Sequence, residues 1–240
     1  MVRGAESASE GAAAQTAARE AGWLDLGTEA YGPAYDLQLR LHALRVAGAI
    51  PDVVVALEHQ ACITFGRAAD RANIVAGEEQ LRAAGVTVHP TDRGGDVTYH
   101  GPGQLILYPI VDLNGYGKDV HAHARRLEQV LIDTLATFGV QAARKKEYPG
   151  VWTEAGKIGA IGIRVSRWVT LHGVSLNVSP DMSHFSLIVP CGIKEHGVVS
   201  LSQMLGRPVD VATVKQRART SFEEVFRVRL LDTTRSDLCV

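Results

Sequence analysis

Apolar positions along the chain recur at two periods, and the switches between them mark out the elements. Over Tyr31–Val46, Leu37, Leu41 and Leu44 fall on one helical face, and Pro33 sits near the start, which predicts a helix. A longer stripe of Leu127, Val130, Leu131, Thr134 and Phe138 predicts a helix over Asp119–Phe138, with Gly139 able to end it. A third helix is expected over about Val211–Val228, with Asp210 as its N-cap, and short helical turns at Gly77–Ala84 and Leu201–Leu205. Val53–Leu57 is a dense β-branched run that reads as a buried strand. Strands are also expected at Val86–His89, Leu105–Ile110, Gly150–Thr153, Lys157–Val165 and Val169–Asn177, with Glu154-Ala155-Gly156 as a hairpin turn. Pro180–His184 reads as a loop. Strands and helices are interspersed without the strict alternation of a doubly wound sheet. The expected class is therefore α+β: a single domain with a mixed sheet and surrounding helices.

At 240 residues the chain is the size of one large domain. The folded part is expected over residues 22–230. Residues 1–21 are rich in Ala and Ser and lack the apolar centre of a secretory signal, so they are expected to form a disordered leader. Residues 231–240 are expected to form a loose tail. Lys plus Arg (25) nearly cancels Asp plus Glu (26), which leaves no strong field to attract nucleic acid or an anionic membrane. No apolar run is long enough to span a bilayer. The three cysteines, Cys62, Cys191 and Cys239, are odd in number and include no CxxC pair. That usage fits a reducing, cytoplasmic compartment, with Cys serving packing or chemistry. No zinc spacing occurs, and His121 and His123 lie two apart on a predicted helix, off a common face. Neither cofactor nor metal is expected. No segment stands out as an interface, so a monomer is expected.

Two segments carry the candidate chemistry. Thr91–Gln104 is the densest polar stretch, and its glycines permit close backbone approach to a ligand. It matches neither a dinucleotide fingerprint nor a phosphate-binding loop. Cys191 lies between Pro190 and Gly192, an irregular context that favours an exposed, reactive thiol over a core one, whereas Cys62 reads as packing. A thiol nucleophile needs a partner that raises its thiolate fraction, and His100, His172 and Lys157 are the candidates. Lys157 opens a strand of otherwise buried character; it reads either as that partner or as a strand-end lysine with a snorkelling stem. His172 reads as structural or as a pocket wall. A Cys-His-Asn arrangement of Cys191, His172 and Asn177 is a weaker reading, because the local signatures of cysteine proteases are absent. Arg144-Lys145-Lys146 reads as a solvated turn, with contact to an acidic protein as the lesser alternative.

Three blocks together resemble the octanoyltransferases of protein lipoylation. They are Arg93-Gly94-Gly95-Asp96-Val97-Thr98-Tyr99-His100-Gly101-Pro102-Gly103-Gln104; Lys157–Arg164 running on to His172-Gly173; and Leu176-Asn177 through Phe185 to Pro190-Cys191-Gly192-Ile193. The resemblance implies the fold of the biotin/lipoate-protein ligase catalytic domains. It implies Cys191 as acyl acceptor and Lys157 as the residue that lowers its pKa. Arg93, Gly94, Gly95, Asp96, Val97, Thr98, Tyr99, His100, Ala160, Ile161, Gly162, Gly173, Val174 and Ser175 would line the acyl pocket. Octanoyl-acyl carrier protein is the implied donor. The lysines of lipoyl domains in 2-oxoacid dehydrogenase complexes and of the glycine cleavage H protein are the implied acceptors. Trp168 is expected to narrow or cap the pocket. The competing activity on this fold is an ATP-dependent lipoate- or biotin-protein ligase, which needs no catalytic thiol.

Overall fold

A computed structural model describes residues 19–189 and 197–240. Eleven strands and five α-helices are described, numbered in chain order. The strands are β1 (Arg19–Glu29), β2 (Val53–His59), β3 (Cys62–Phe65), β4 (Thr87–Pro90), β5 (Val97–His100), β6 (Gln104–Ile110), β7 (Ala143–Arg144), β8 (Val151–Thr153), β9 (Gly156–Ser166), β10 (Val169–Asn177) and β11 (Val228–Asp232). The helices are α1 (Tyr31–Val46), α2 (Glu78–Ala83), α3 (Val120–Ala136), α4 (Leu201–Leu205) and α5 (Val211–Phe226). An eight-stranded sheet runs β11-β1-β2-β6-β10-β9-β8-β7, and a three-stranded sheet runs β4-β3-β5. β1 pairs in parallel with β11 and β2, and the large sheet is antiparallel from β2 onward, so the sheet is mixed as expected.

The large sheet is covered on both faces, which explains the unbroken apolar run in β2. Val53, Val55 and Leu57 pack with Leu37 and Leu41 of α1, while Val54 and Ala56 pack with Leu127, Leu131 and Phe222 of α3 and α5. Successive strand residues alternate faces, so a strand buried on both sides has no polar positions to break the run. The helix starts follow the capping rule. Asp119 accepts from the Ala122 N–H and Asp210 from the Thr213 N–H, each at 2.9 Å. The small sheet has its own core, in which Ile63, Val97 and Tyr99 meet Leu187 and Ile188.

Two boundaries differ from the sequence reading. β1 begins at Arg19, inside the expected leader, and residues 1–18 lie outside the described residues. The stretch 231–240, expected to be loose, is folded. The Thr233 N–H donates to the Trp23 carbonyl at 3.0 Å, Arg235 pairs with Glu29 at 2.7 Å, and Leu238 is buried with the α1 core. Leu231 and Leu238 gave no periodic signal because a short parallel edge strand followed by a turn has none to give.

His123 of α3 is fully buried against Phe226, and neither ring nitrogen has a hydrogen-bond partner. Burial first, and the Arg126 charge second, lower its pKa from 6.5 to about 4. Between those values the unfolded chain carries a proton that the folded chain does not, so stability is lost as pH falls from about 6.5 toward 4. His123→Leu removes an unsatisfied group whose burial costs about 1–3 kcal/mol. The variant should be at least as stable as wild type at pH 7 and lose less stability at pH 5, measured as urea midpoints. Equal acid losses in the two proteins would reject this account of His123.

Candidate active site

The antiparallel pair β9–β10 sets the frame. Its register places Gly159 opposite Leu176, Ala160 opposite Ser175, Ile161 opposite Val174, Gly162 opposite Gly173 and Ile163 opposite His172. Over this row lies a cavity of about 490 Å³, walled by Ala160 to Gly162, Gly173 to Ser175, and Arg93, Thr98 and His100 from the polar block. Gly95, Asp96, Tyr31, Tyr108 and His172 complete it. A second cavity of about 320 Å³ shares Thr98, Ala160 and Ser175 with the first and reaches Lys157, with Phe185 and Val198 on its wall. The two spaces therefore border each other at these three shared residues, here termed the neck. Glycine is required in this wall: a Cβ at Gly173 would overlap the Leu107 carbonyl of β6.

Strand pleating sorts the polar block. Thr98 and His100 face the cavity, while Val97 and Tyr99 point to the opposite side of β5, into the small-sheet core. Gly94 also stays off the wall. Its N–H donates to the Ile163 carbonyl at 3.0 Å and ties the block to β9, which takes that amide out of any oxyanion role. Arg93 is buried, and its guanidinium donates to the Thr64 hydroxyl (2.9 Å) and carbonyl (2.9 Å) and to the Gly94 carbonyl (3.0 Å). A buried cation of this kind depends on such directed partners.

Burial holds the histidines and tyrosines of the wall neutral near pH 7. Burial, assisted by the nearby His59, lowers His100 to about 3, and burial lowers His59 to about 4. Burial raises Tyr31 to about 12 and pushes Tyr108 well above its ordinary value. The hydrogen bonds fix the tautomers. Gln104 spends its amide N–H₂ on Asn177 (2.8 Å) and the Tyr99 carbonyl (3.1 Å), so its carbonyl oxygen accepts from His100 Nδ1 at 2.8 Å. His59 Nδ1 donates to the Glu29 carbonyl (3.1 Å), which leaves Nε2 to accept from the Tyr108 hydroxyl (2.7 Å).

His172 is a wall residue, as one reading of the sequence had it. Its φ of 58° lies in the left-handed region, a strained conformation for a non-glycine strand residue. Its ring stacks on Tyr35 at 5.5 Å and its Nε2 donates to Asp92 Oδ1 at 2.8 Å. Burial lowers the pKa of His172 despite that carboxylate. Burial alone would raise Asp92, but hydrogen bonds from His172 and Tyr35 and the charge of Arg164 outweigh it and hold Asp92 low. The Cys-His-Asn reading gains nothing here. Asn177 belongs to the Lys157 cavity, where it partners Gln104, while His172 is committed to Asp92 near the other end of the row.

Lys157 is 9% exposed, which sets aside the snorkelling reading. Its backbone pairs with the chain at 197–199: the Lys157 N–H donates to the Gly197 carbonyl and the Val199 N–H to the Lys157 carbonyl, each at 2.9 Å. Its Nζ lies 5.5 Å from the centre of the Trp152 ring. A Cβ at Gly150 would come within 2.8 Å of Lys157 Cε, so glycine there leaves room for the stem. Cys191 lies outside the described residues, as do Pro190, Gly192 and Ile193. Cys62 is buried, with its thiol pushed up to about 12 by burial, which suits the packing role expected of it. Trp168 does not narrow the pocket: it sits at the β9–β10 turn, 41% exposed, beside Lys118. Among the described residues no group of three His, Cys, Asp or Glu side chains could hold a metal, and no helix is long and apolar enough to cross a membrane.

Tyr31 escaped the sequence reading as a site residue, because it opens a segment that gives only a helix signal. Gln104 and Asn177 were visible inside the matching blocks, but nothing in one dimension joins them.

The lipoyl protein ligase A/B catalytic domain matches residues 30–223. The chain is 43% identical over 202 residues to an octanoyltransferase of Desulforamulus reducens, covering 84% of this chain and 89% of that protein. It is 46% identical over 201 residues to an octanoyltransferase of Rubrobacter xylanophilus, covering 83% and 90%. Its fold is that of a bi-partite lipoate protein ligase from Thermoplasma acidophilum, with a TM-score of 0.70 over 92% of this chain and 90% of that one, at 14% identity. The chain belongs to the lipoyl protein ligase A/B catalytic-domain family and, within it, to the octanoyltransferases, enzymes that transfer an acyl group.

Proposed function

We propose that this enzyme takes an octanoyl group from octanoyl-acyl carrier protein onto Cys191 and passes it to the ε-amine of a lysine on a lipoyl domain or glycine cleavage H protein. The observation that carries the reading is the cavity along β9–β10, which adjoins the space around Lys157 through the neck of Thr98, Ala160 and Ser175. The chain leaves the described fold at Val189 and rejoins it at Gly197, on the backbone of Lys157, so the stretch bearing Cys191 starts and ends beside this site.

In the first step the Cys191 thiolate attacks the thioester carbonyl. The new C–S bond forms, the bond to the carrier's thiol breaks, and that thiol leaves as a thiolate and takes up a proton. Exchange of one thioester for another is nearly isoenergetic, so no ATP is needed. In the second step the acceptor amine attacks, the Cys191 C–S bond breaks, and an amide forms as the amine loses a proton. Lys157 serves in two ways: its ammonium favours the Cys191 thiolate, and the amine form accepts the proton from the acceptor. Ala160 to Gly162 and Gly173 to Ser175 hold the chain, with Arg93, Gly95, Asp96, Thr98 and His100 closing the wall. Each buried methylene contributes about 0.8 kcal/mol, so a seven-carbon tail supplies several kcal/mol of binding. Neutral His100 and His172 suit such a wall, because an apolar chain beside them displaces no ion's hydration. The identity to octanoyltransferases favours this route over an ATP-dependent ligase.

Incubation with octanoyl-acyl carrier protein, without ATP, should leave a hydroxylamine-labile octanoyl adduct that mass spectrometry maps to Cys191. Cys191→Ala should form none, and an absolute requirement for ATP would overturn the reading. Lys157→Ala should lower the transfer rate by about a hundredfold. It should also move iodoacetamide labelling of Cys191 to higher pH, and an unchanged labelling profile would reject its role.

The neck gives a second test. Ala160→Leu places a branched side chain where the two cavities meet. An octanoyl chain that can no longer pass loses the burial of about four methylenes, or about 3 kcal/mol, which is a loss of roughly a hundredfold in kcat/KM. An acetyl thioester, too short to enter the neck, should be far less affected. Equal losses for both donors would argue against this path for the chain.

A further inference from the structure

Among the described residues Asp96 is the one acidic side chain on the wall of the acyl cavity, and the cavity does not explain it. Its carboxylate is committed to the far side of the loop. Oδ2 accepts from Asn73 Nδ2 at 2.6 Å, and Oδ1 accepts from the Asp70 N–H at 3.2 Å. Asn73 closes a short 3₁₀ turn, Arg71–Asn73, that Asp70 caps by accepting from the Ala72 N–H at 2.9 Å. The carbonyl of Asn73 then accepts from the Val189 N–H at 2.7 Å. Around that bond, Ile74 bridges Ile188, and the N–H groups of Val75 and Ala76 both donate to the Leu187 carbonyl, at 3.0 and 3.2 Å. One relay therefore runs from the cavity wall through Asn73 to Val189, two residues before Cys191.

We infer that Asp96 and Asn73 are positioning residues that fix the entry of the Cys191 segment relative to the acyl cavity. The inference rests on Cys191 being the acyl acceptor. Asp96 sits on the wall and Asn73 holds the chain that leads to the nucleophile, so one pair of hydrogen bonds refers both to a common frame. The bond between them joins a carboxylate to an amide, so it is stronger than a neutral one and directional. Its counterpart is on the other side of the site, where Gly197 and Val199 bond the backbone of Lys157. The nucleophile's segment is thus held at its entry by the wall and at its exit by the strand of its activating lysine.

A polarity exchange tests the pair. Asn73→Asp sets two carboxylates against each other. Adding Asp96→Asn restores an N–H···O bond with donor and acceptor exchanged and keeps an oxygen for the Asp70 N–H. Single-turnover formation of the octanoyl–Cys191 thioester from octanoyl-acyl carrier protein should slow by about a hundredfold in Asn73→Asp, the effect of a small misplacement of a reacting atom. The double variant should recover most of that loss. KM for the carrier should stay near its wild-type value in both, and iodoacetamide labelling of the Cys191 peptide should change in step with the acylation rate. Asn73→Ala, which keeps the carbonyl bond to Val189 but removes the link to Asp96, should show a smaller loss in the same direction. If Asn73→Asp fails to fold, Asn73→Ala carries the test. Wild-type acylation rates in the folded single variants, or a double variant no faster than Asn73→Asp, would overturn the inference. A wild-type enzyme that forms no adduct at Cys191 would instead overturn the nucleophile assignment, and the positioning role with it.

Discussion

The antiparallel pairing of β9 with β10 is the constraint on which the site depends. Residues advance about 3.3 Å along a strand. The five steps from Lys157 to Gly162 therefore span roughly 17 Å, and the paired row on β10 runs back from Gly173 toward Asn177 over the same interval. A slip of one residue would turn every side chain in this row to the other face. Ala160 and Ser175 would leave the neck, and Ile161 and Val174 would leave the α3 core. The core and the cavity are thus set by a single register. Burial of Leu131, Val174 and Leu176 on one side of the sheet holds the cavity wall on the other.

The same sheet explains how a cavity rich in polar side chains can hold an apolar chain. His59 bonds the Glu29 carbonyl and the Tyr108 hydroxyl, His100 bonds the Gln104 side chain, Tyr31 donates to the Thr91 hydroxyl, and burial holds each neutral. Arg93 and Asp96 are charged but follow the same logic, since Thr64 and Gly94 accept from Arg93, and Asn73 and the Asp70 N–H donate to Asp96. A satisfied polar network gives this wall a rigidity that flexible aliphatic side chains would lack, because each ring is fixed by a directional bond as well as by packing.

The large elements were legible from periodicity. Tyr31–Val46, Val169–Asn177 and Leu201–Leu205 were read with the boundaries the structure has, because each has a long apolar stripe, a run buried on both faces, or a clear end. β1 was missed because Gly22 and Asp25 break its alternation, and its partners β2 and β11 are distant in sequence. β3 and β5 were missed for a similar reason. Both are four-residue strands, and β5 lies inside a polar block whose glycines argue for a loop. Of the site, residue types were readable and directions were not. Val97 and Thr98 are neighbours in one motif, yet only Thr98 faces the cavity, a difference that appears once the segment is known to be a strand. Asn73 offered no signal at all, because its importance comes from standing between Asp96 and Val189.

That last case bears on how the approach to Cys191 is held: the Val189 N–H bonds the Asn73 carbonyl beside Leu187 and Ile188, which pack in the small-sheet core. Backbone bonds tie Val189 to Asn73 on one side of the segment and Gly197 and Val199 to Lys157 on the other. Such bonds are individually modest in net stability, and their contribution is geometric. Loss of one should therefore disturb placement of the segment more than global stability, because the cores around α1 and α3 do not depend on it. In this enzyme the elements that make the fold stable and those that aim the chemistry are largely separate sets of residues, joined where β9 and β10 serve both.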